Sequence, residues 1–216
     1  MMPRSQWLAT VPFAFALIVM FGFSLTQRDS YSYYTELISI VLISVPLVLA
    51  WKDVLTLPWV LTLGIGFALA LHSFGLVTNL YNTTDIFGYI THFVSGVVVA
   101  WVLATAMMVV MSYDLTMRIP VRWFPFFIFI GLIAFEGFWK ILEFTSDQTF
   151  GTMMQHGLDD TMNDNFSDTI AGLVSGLWVA GYVSRVSVKG FVSKLRLEKS
   201  EAWLREHLGQ GQPQRK

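Results

Sequence analysis

The sequence predicts an all-α integral membrane protein: one bundle of six transmembrane helices, both chain ends on the cytoplasmic side, then a basic amphipathic helix. Three observations predict it. Of 216 residues, 54% are hydrophobic and 13% charged, whereas a soluble domain carries about a quarter charged residues. The apolar residues are gathered into runs near the roughly 20 positions that a helix needs to cross the hydrocarbon. Cations are concentrated in alternate connections between those runs, as the positive-inside rule requires of a multi-pass protein of the cell membrane.

In chain order the expected spans are Trp7 to Leu25, Thr35 to Trp51, Pro58 to Leu80, Phe87 to Ser112, Val121 to Phe144 and Phe166 to Val183. Alternating apolar and polar order is absent, so the spans read as helices rather than barrel strands. The first follows "MMPR" and has the alternative of a signal peptide, but no small-x-small pattern follows "FGFSLTQRDS", and a retained helix is expected. The second is short for a crossing. Arg4, Lys52, Arg118 with Arg122, and the tail from Arg185 all fall on one side of a six-span topology. The other set of loops holds Arg28, and Lys140 stands at the end of the fifth span. Residues 1–187 thus form the transmembrane domain.

Residues 188–208 place Val188, Phe191, Val192, Leu195, Trp203, Leu204 and Leu208 among Lys189, Lys194, Arg196, Lys199 and Arg205. This reads as an amphipathic anchor on the anionic inner surface, with membrane lipid and no nucleic acid as its partner. Residues 209–216, "GQGQPQRK", read as a disordered tail. With no cysteine in the chain, neither a disulfide framework nor a thiolate metal site exists.

The ionisable residues converge by depth. His72 sits in the outer part of the third span, with Asn79 one heptad on, and His92 lies about two turns into the fourth, which begins near Asp85. Glu136 lies in the outer half of the fifth and Glu143 at its end; Asp164 and Asp168 open the sixth. Glu136, Lys140, Glu143 and Asp147 recur at helical spacing along one face, and His156, Asp160, Asp164 and Asp168 recur every fourth residue, so two acidic stripes are expected to meet. Asp159 points elsewhere and suits a helix cap.

An acid at the middle of a span costs about 2.5 to 3.5 kcal/mol and marks function. Carboxylates held together repel, which either raises some of their pKa values or recruits a cation, and Lys140 neutralises only one of them. The expected metal ligands are therefore His92, Glu136, Glu143, Asp160, Asp164 and Asp168, around a divalent ion: Mg, Mn, Zn, Ca or Fe. Glu136, Asp164 and His92 are the expected catalytic set, with one spare acid as base for a lipid or phosphorylated, lipid-like substrate. His72 and His156 are weaker candidates. The competing readings are a cation or proton transporter and a scaffold subunit that meets another membrane protein or a second copy. The serines of "LHSFG" and "FVSG" read as packing devices that permit close helix approach. No serine-hydrolase elbow, phosphate-binding loop or dinucleotide fingerprint occurs.

"DDTMNDNFSD" resembles superficially the aspartate motifs of intramembrane prenyltransferases and CDP-alcohol phosphotransferases, but "DGxxAR" and a second aspartate motif are absent. Across about residues 86–176 the chain resembles the uncharacterised family of small bacterial and archaeal membrane proteins that includes YjdF. "THFVSG" looks like its "HF" plus small-residue helix, "FEGFWKILEF" like its "YExxEW" region, and "GLDDTMNDNFSDTIAGL" like its segment leading into a final helix. Gly88 stands where that family has an acid. The resemblance implies a similar bundle and a similar His/Glu/Asp constellation.

Overall fold

The computed structural model describes residues 4–27, 30–114, 116–152, 154–155, 157–195, 197 and 200–208. Six helices are long and apolar enough to cross a membrane, and no strand occurs among the described residues. They are α1 (Arg4–Gln27), α2 (Ser30–Trp51), α3 (Trp59–Val77), α5 (Asp85–Tyr113), α6 (Phe124–Phe150) and α7 (Leu158–Val186), with the single turn α4 (Leu80–Thr83) before α5. All six expected spans are present. His156, Arg28, Arg196, Lys199 and the expected tail 209–216 lie outside the described residues.

The helices form two groups of three. α1, α2 and α3 pack against one another, α5, α6 and α7 do the same, and α3 against α5 is the seam between the groups. Small residues set the close approaches. A Cβ at Gly176 of α7 would lie 2.7 Å from the Pro125 Cα, so only glycine lets the backbones of α6 and α7 meet there. At Gly75 of α3 the space is filled by the rings of Phe87 and Tyr81. The small residues of "LHSFG" and "FVSG" thus do admit neighbours. Away from the acidic end, α5, α6 and α7 close around Ala100, Ala104, Met108, Phe124, Ile128, Leu132, Val179 and Val183, all buried.

Boundaries differ from expectation where polar residues find partners. α2 is a full crossing of 22 residues. α3 ends at Val77, where Asn79 turns left-handed at φ 60°. α6 runs on to Phe150 and stops at Gly151, whose φ of 65° suits a helix-ending glycine. α7 begins at Leu158, two turns before the apolar run, and its Asp164 and Asp168 face α5 and α6. Gly157 caps it, and Asp159 lies exposed in the first turn, where it complements the helix dipole.

The continuous helix expected over residues 188–208 is instead α8 (Val188–Val192) and α9 (Ser200–Leu208), with a turn after α8. Phe191, Val192, Leu195 and Leu197 are all buried against the bundle. Residues two apart point to nearly opposite sides of a helix, so burying both Leu195 and Leu197 requires a break. Lys194 donates to the Tyr182 hydroxyl at 3.2 Å, and the Arg205 guanidinium lies 5.7 Å from the Tyr113 ring centroid. The segment packs on the end of the bundle.

Candidate metal centre

The site grows from three helices at the end of the bundle away from the basic connections. α5 presents His92, α6 presents Glu136, Lys140 and Glu143, and α7 presents Asp164 and Asp168. Each set recurs at one-turn spacing, so every helix turns one face toward the same volume.

His92 is held at both ring nitrogens: Nδ1 lies 3.1 Å from Asp168 Oδ2 and Nε2 lies 3.2 Å from Asp164 Oδ1. The Lys140 ammonium donates to Asp164 Oδ2 at 2.7 Å and Glu143 Oε2 at 2.9 Å, with Glu136 Oε1 at 3.8 Å. Glu143 accepts a further bond from the Trp139 indole at 2.7 Å. Asp164 therefore bridges the imidazole to the ammonium, and Glu143 completes the lysine's shell.

Glu136 touches this network only through the 3.8 Å approach of its Oε1 to the Lys140 ammonium. Its side chain is 6% exposed, and Oε1 has no hydrogen-bond partner. A buried carboxylate oxygen without a donor is costly to maintain. One ligand atom each of His92, Glu136 and Asp168 lie within 4.8 Å of one another. Three carboxylates, Glu136, Glu143 and Asp164, lie within 3.8 Å of the one ammonium, while Asp168 is engaged by His92.

Gly96 makes room for this arrangement one turn below His92. A Cβ there would sit 2.3 Å from Asp168 Oδ1 and 2.9 Å from Ala171 Cβ. The rim is equally specific. Tyr81 on α4 lies 2.6 Å from His72 Nδ1 through its hydroxyl. Burial holds the Tyr81 phenol well above its ordinary pKa; Asp164 and Asp160 add to the shift, and Thr91 opposes it. A phenol that keeps its proton can donate it to His72.

Of the residues singled out from the sequence, His92, Glu136, Glu143, Asp164 and Asp168 are brought together. Asp160 lies one turn above Asp164, half-buried and outside the three-residue group. His72 pairs with Tyr81 at the rim. Asp147, fourth in the α6 stripe, accepts from the Thr152 hydroxyl and the backbone N–H groups of Met154 and Gln155, and so ties down the loop before α7. The Trp139 donor was not read from the sequence, and Gly96 was read only as part of the small-residue run "FVSG". Glu36, a buried acid on α2 outside this site, was passed over as well, although a lone acid inside an apolar span was the available signal.

Residues 8–185 match the family described as "Predicted membrane protein (DUF2238)". The chain belongs to that family. The DUF2238 match spans all six crossings nearly end to end and includes every residue of the His/Glu/Asp cluster. No curated protein and no solved structure matches the chain. The expected membership of an uncharacterised membrane family is thereby met at the level of the family's description, and the particular likeness to YjdF stays a reading of motif order.

Proposed function

We propose that this DUF2238 protein binds a divalent metal ion through His92 Nδ1, Glu136 and Asp168, and that the centre serves a metal-dependent reaction on a lipid or phosphorylated, lipid-like substrate. The observation that carries the reading is the approach of one ligand atom each from His92, Glu136 and Asp168 to within 4.8 Å of one another, with Glu136 Oε1 buried and accepting no hydrogen bond. Asp164 then takes the role usual for a carboxylate behind a ligating histidine: it accepts from Nε2–H, fixes the tautomer and orients the ring. Lys140 and Glu143 hold Asp164 in turn.

Three protein ligands leave coordination positions open, which is the pattern of a catalytic rather than a structural site. One imidazole with two carboxylates suits Zn, Mn or Fe better than Mg or Ca, which prefer oxygen alone. Such an ion supplies Lewis acidity toward a carbonyl or phosphoryl oxygen. His92, at 22% side-chain exposure against 8% for Asp164 and 4% for Asp168, is the open edge from which a substrate approaches. Exposed Ile141, Phe144, Phe166 and Ile170 beside the cluster suit acyl chains rather than water. By the distribution of cations the site faces outward.

The transport reading needs a polar path onward through the bundle. Below the cluster stand Ala100, Ala104, Leu132, Ile128 and Met108, buried and apolar, which favours a one-sided site. The test is metal analysis of the purified protein, then of Glu136→Ala and Asp164→Ala. One tightly held ion per chain in the wild type, lost in Glu136→Ala and weakened in Asp164→Ala, supports the centre. No ion in the wild type after growth with each candidate metal overturns it.

A further inference from the structure

We propose that Glu36 is a second, separate proton-binding site: a neutral carboxylic acid enclosed within the α1–α2–α3 group. Glu36 lies six residues into α2 and is completely buried. Neither carboxyl oxygen has a hydrogen-bond partner. Its polar neighbour is Ser73 of α3, whose hydroxyl is also buried and also without a partner.

The site is distinct from the metal centre. α2 packs against α1 and α3 and against no other helix among the described residues. Among the described residues, no cation faces Glu36 from the helices around it. α1 carries only Arg4, at its opposite end, and α3 carries only His72, which is engaged with Tyr81. α2 itself adds Tyr31, Tyr33 and Tyr34 near its start, the last two with rings 4.4 Å apart.

An ionised carboxylate enclosed in this way is cut off from solvent and meets no counter-charge among the described residues, and a group so placed takes up a proton instead. The protonated form turns an unmatched acceptor into a donor, and Ser73 Oγ is an acceptor awaiting one. A bare metal cation needs a shell of several oxygens, whereas the unpartnered oxygens here are two from one carboxyl and one from a hydroxyl. A proton needs only one. Releasing it requires α2 and α3 to part or water to enter, so occupancy of Glu36 is linked to the packing of the first three helices.

The experiment uses dicyclohexylcarbodiimide, which adds covalently to protonated carboxyls in apolar surroundings, on the full-length protein in lipid vesicles, with the modified peptide identified by mass. The expected result is modification at Glu36 that slows as the pH is raised, and none at that peptide in Glu36→Gln. Glu36→Gln, a neutral isostere, should match the wild type in thermal stability at neutral pH and exceed it in alkali. Where that variant does not accumulate, the infrared carbonyl band of a protonated acid in the wild type, insensitive to deuterated buffer at neutral pH and lost in alkali, gives the same decision. Absence of modification at every pH overturns the proposal, as does a rate indifferent to pH. Protection by sodium at fixed pH overturns it too, since a bound cation then holds the place of the proton.

Discussion

Gly96→Ala tests the geometry of the centre without replacing a ligand. The added Cβ would lie 2.3 Å from Asp168 Oδ1, where ordinary contact begins at 3.4 Å, so the carboxylate must retreat by about 1.1 Å. Asp168 Oδ2 is 3.1 Å from His92 Nδ1, and a shift of that size separates the two. Metal sites tolerate about 0.2 Å in ligand distance, so affinity should fall by at least about tenfold, the lower bound seen when merely supporting groups are lost. The Ala171 Cβ at 2.9 Å has no rotamer to escape by, and overpacking of this kind costs about 1–3 kcal/mol. Gly88→Ala on the same helix is the control, since a Cβ there meets nothing within 4 Å. Metal content by mass spectrometry and thermal unfolding in detergent should separate the two variants. Wild-type metal content and stability in Gly96→Ala would refute the packing of Asp168 against α5, and equal losses in both variants would reduce the effect to a general intolerance of α5.

Lys140→Met removes the ammonium that joins Asp164 to Glu143. Breaking a buried pair by deleting one partner costs about 3–5 kcal/mol, and the lysine side chain is 12% exposed; an unfolding loss under about 1 kcal/mol contradicts the network. Outside the spans, hydrogen bonds from the Thr116 hydroxyl and backbone hold the Asp114 carboxyl below its ordinary pKa. That stabilisation is present above the ordinary carboxylate value and disappears as pH falls through the lowered one. Asp114→Ala should therefore be less stable than the wild type at neutral pH and converge with it only in acid, as thermal unfolding across a pH series would show; a deficit that persists in strong acid counts against it.

The spans were legible because a bilayer imposes length and apolarity on contiguous residues, and both survive in one dimension. The meeting of His92, Glu136, Asp164 and Asp168 was legible for a related reason: once the crossings are placed, residue number becomes depth. Which acids partner one another was not, because Lys140 chooses between Glu136, Glu143 and Asp164 through side-chain reach that spacing does not encode. The start of α7 at Leu158 was legible in the four-residue spacing of Asp160, Asp164 and Asp168 but not in the apolar run, which begins only at Phe166. The break after α8 follows from burying both Leu195 and Leu197, which a charge-and-apolar pattern alone represents as one helix. Glu36 was overlooked for want of company: it shares its helix with no other acid.

Anomalous scattering from crystals of protein grown with Zn or Mn, recorded at the edge of that metal, is the most direct measurement of the central claim. A single peak within coordinating distance of His92 Nδ1, Glu136 and Asp168, with Asp164 still on Nε2, is the result expected. A fully loaded ion bound elsewhere, or His92 still clasped by both aspartates with no peak beside it under saturating metal, contradicts the account.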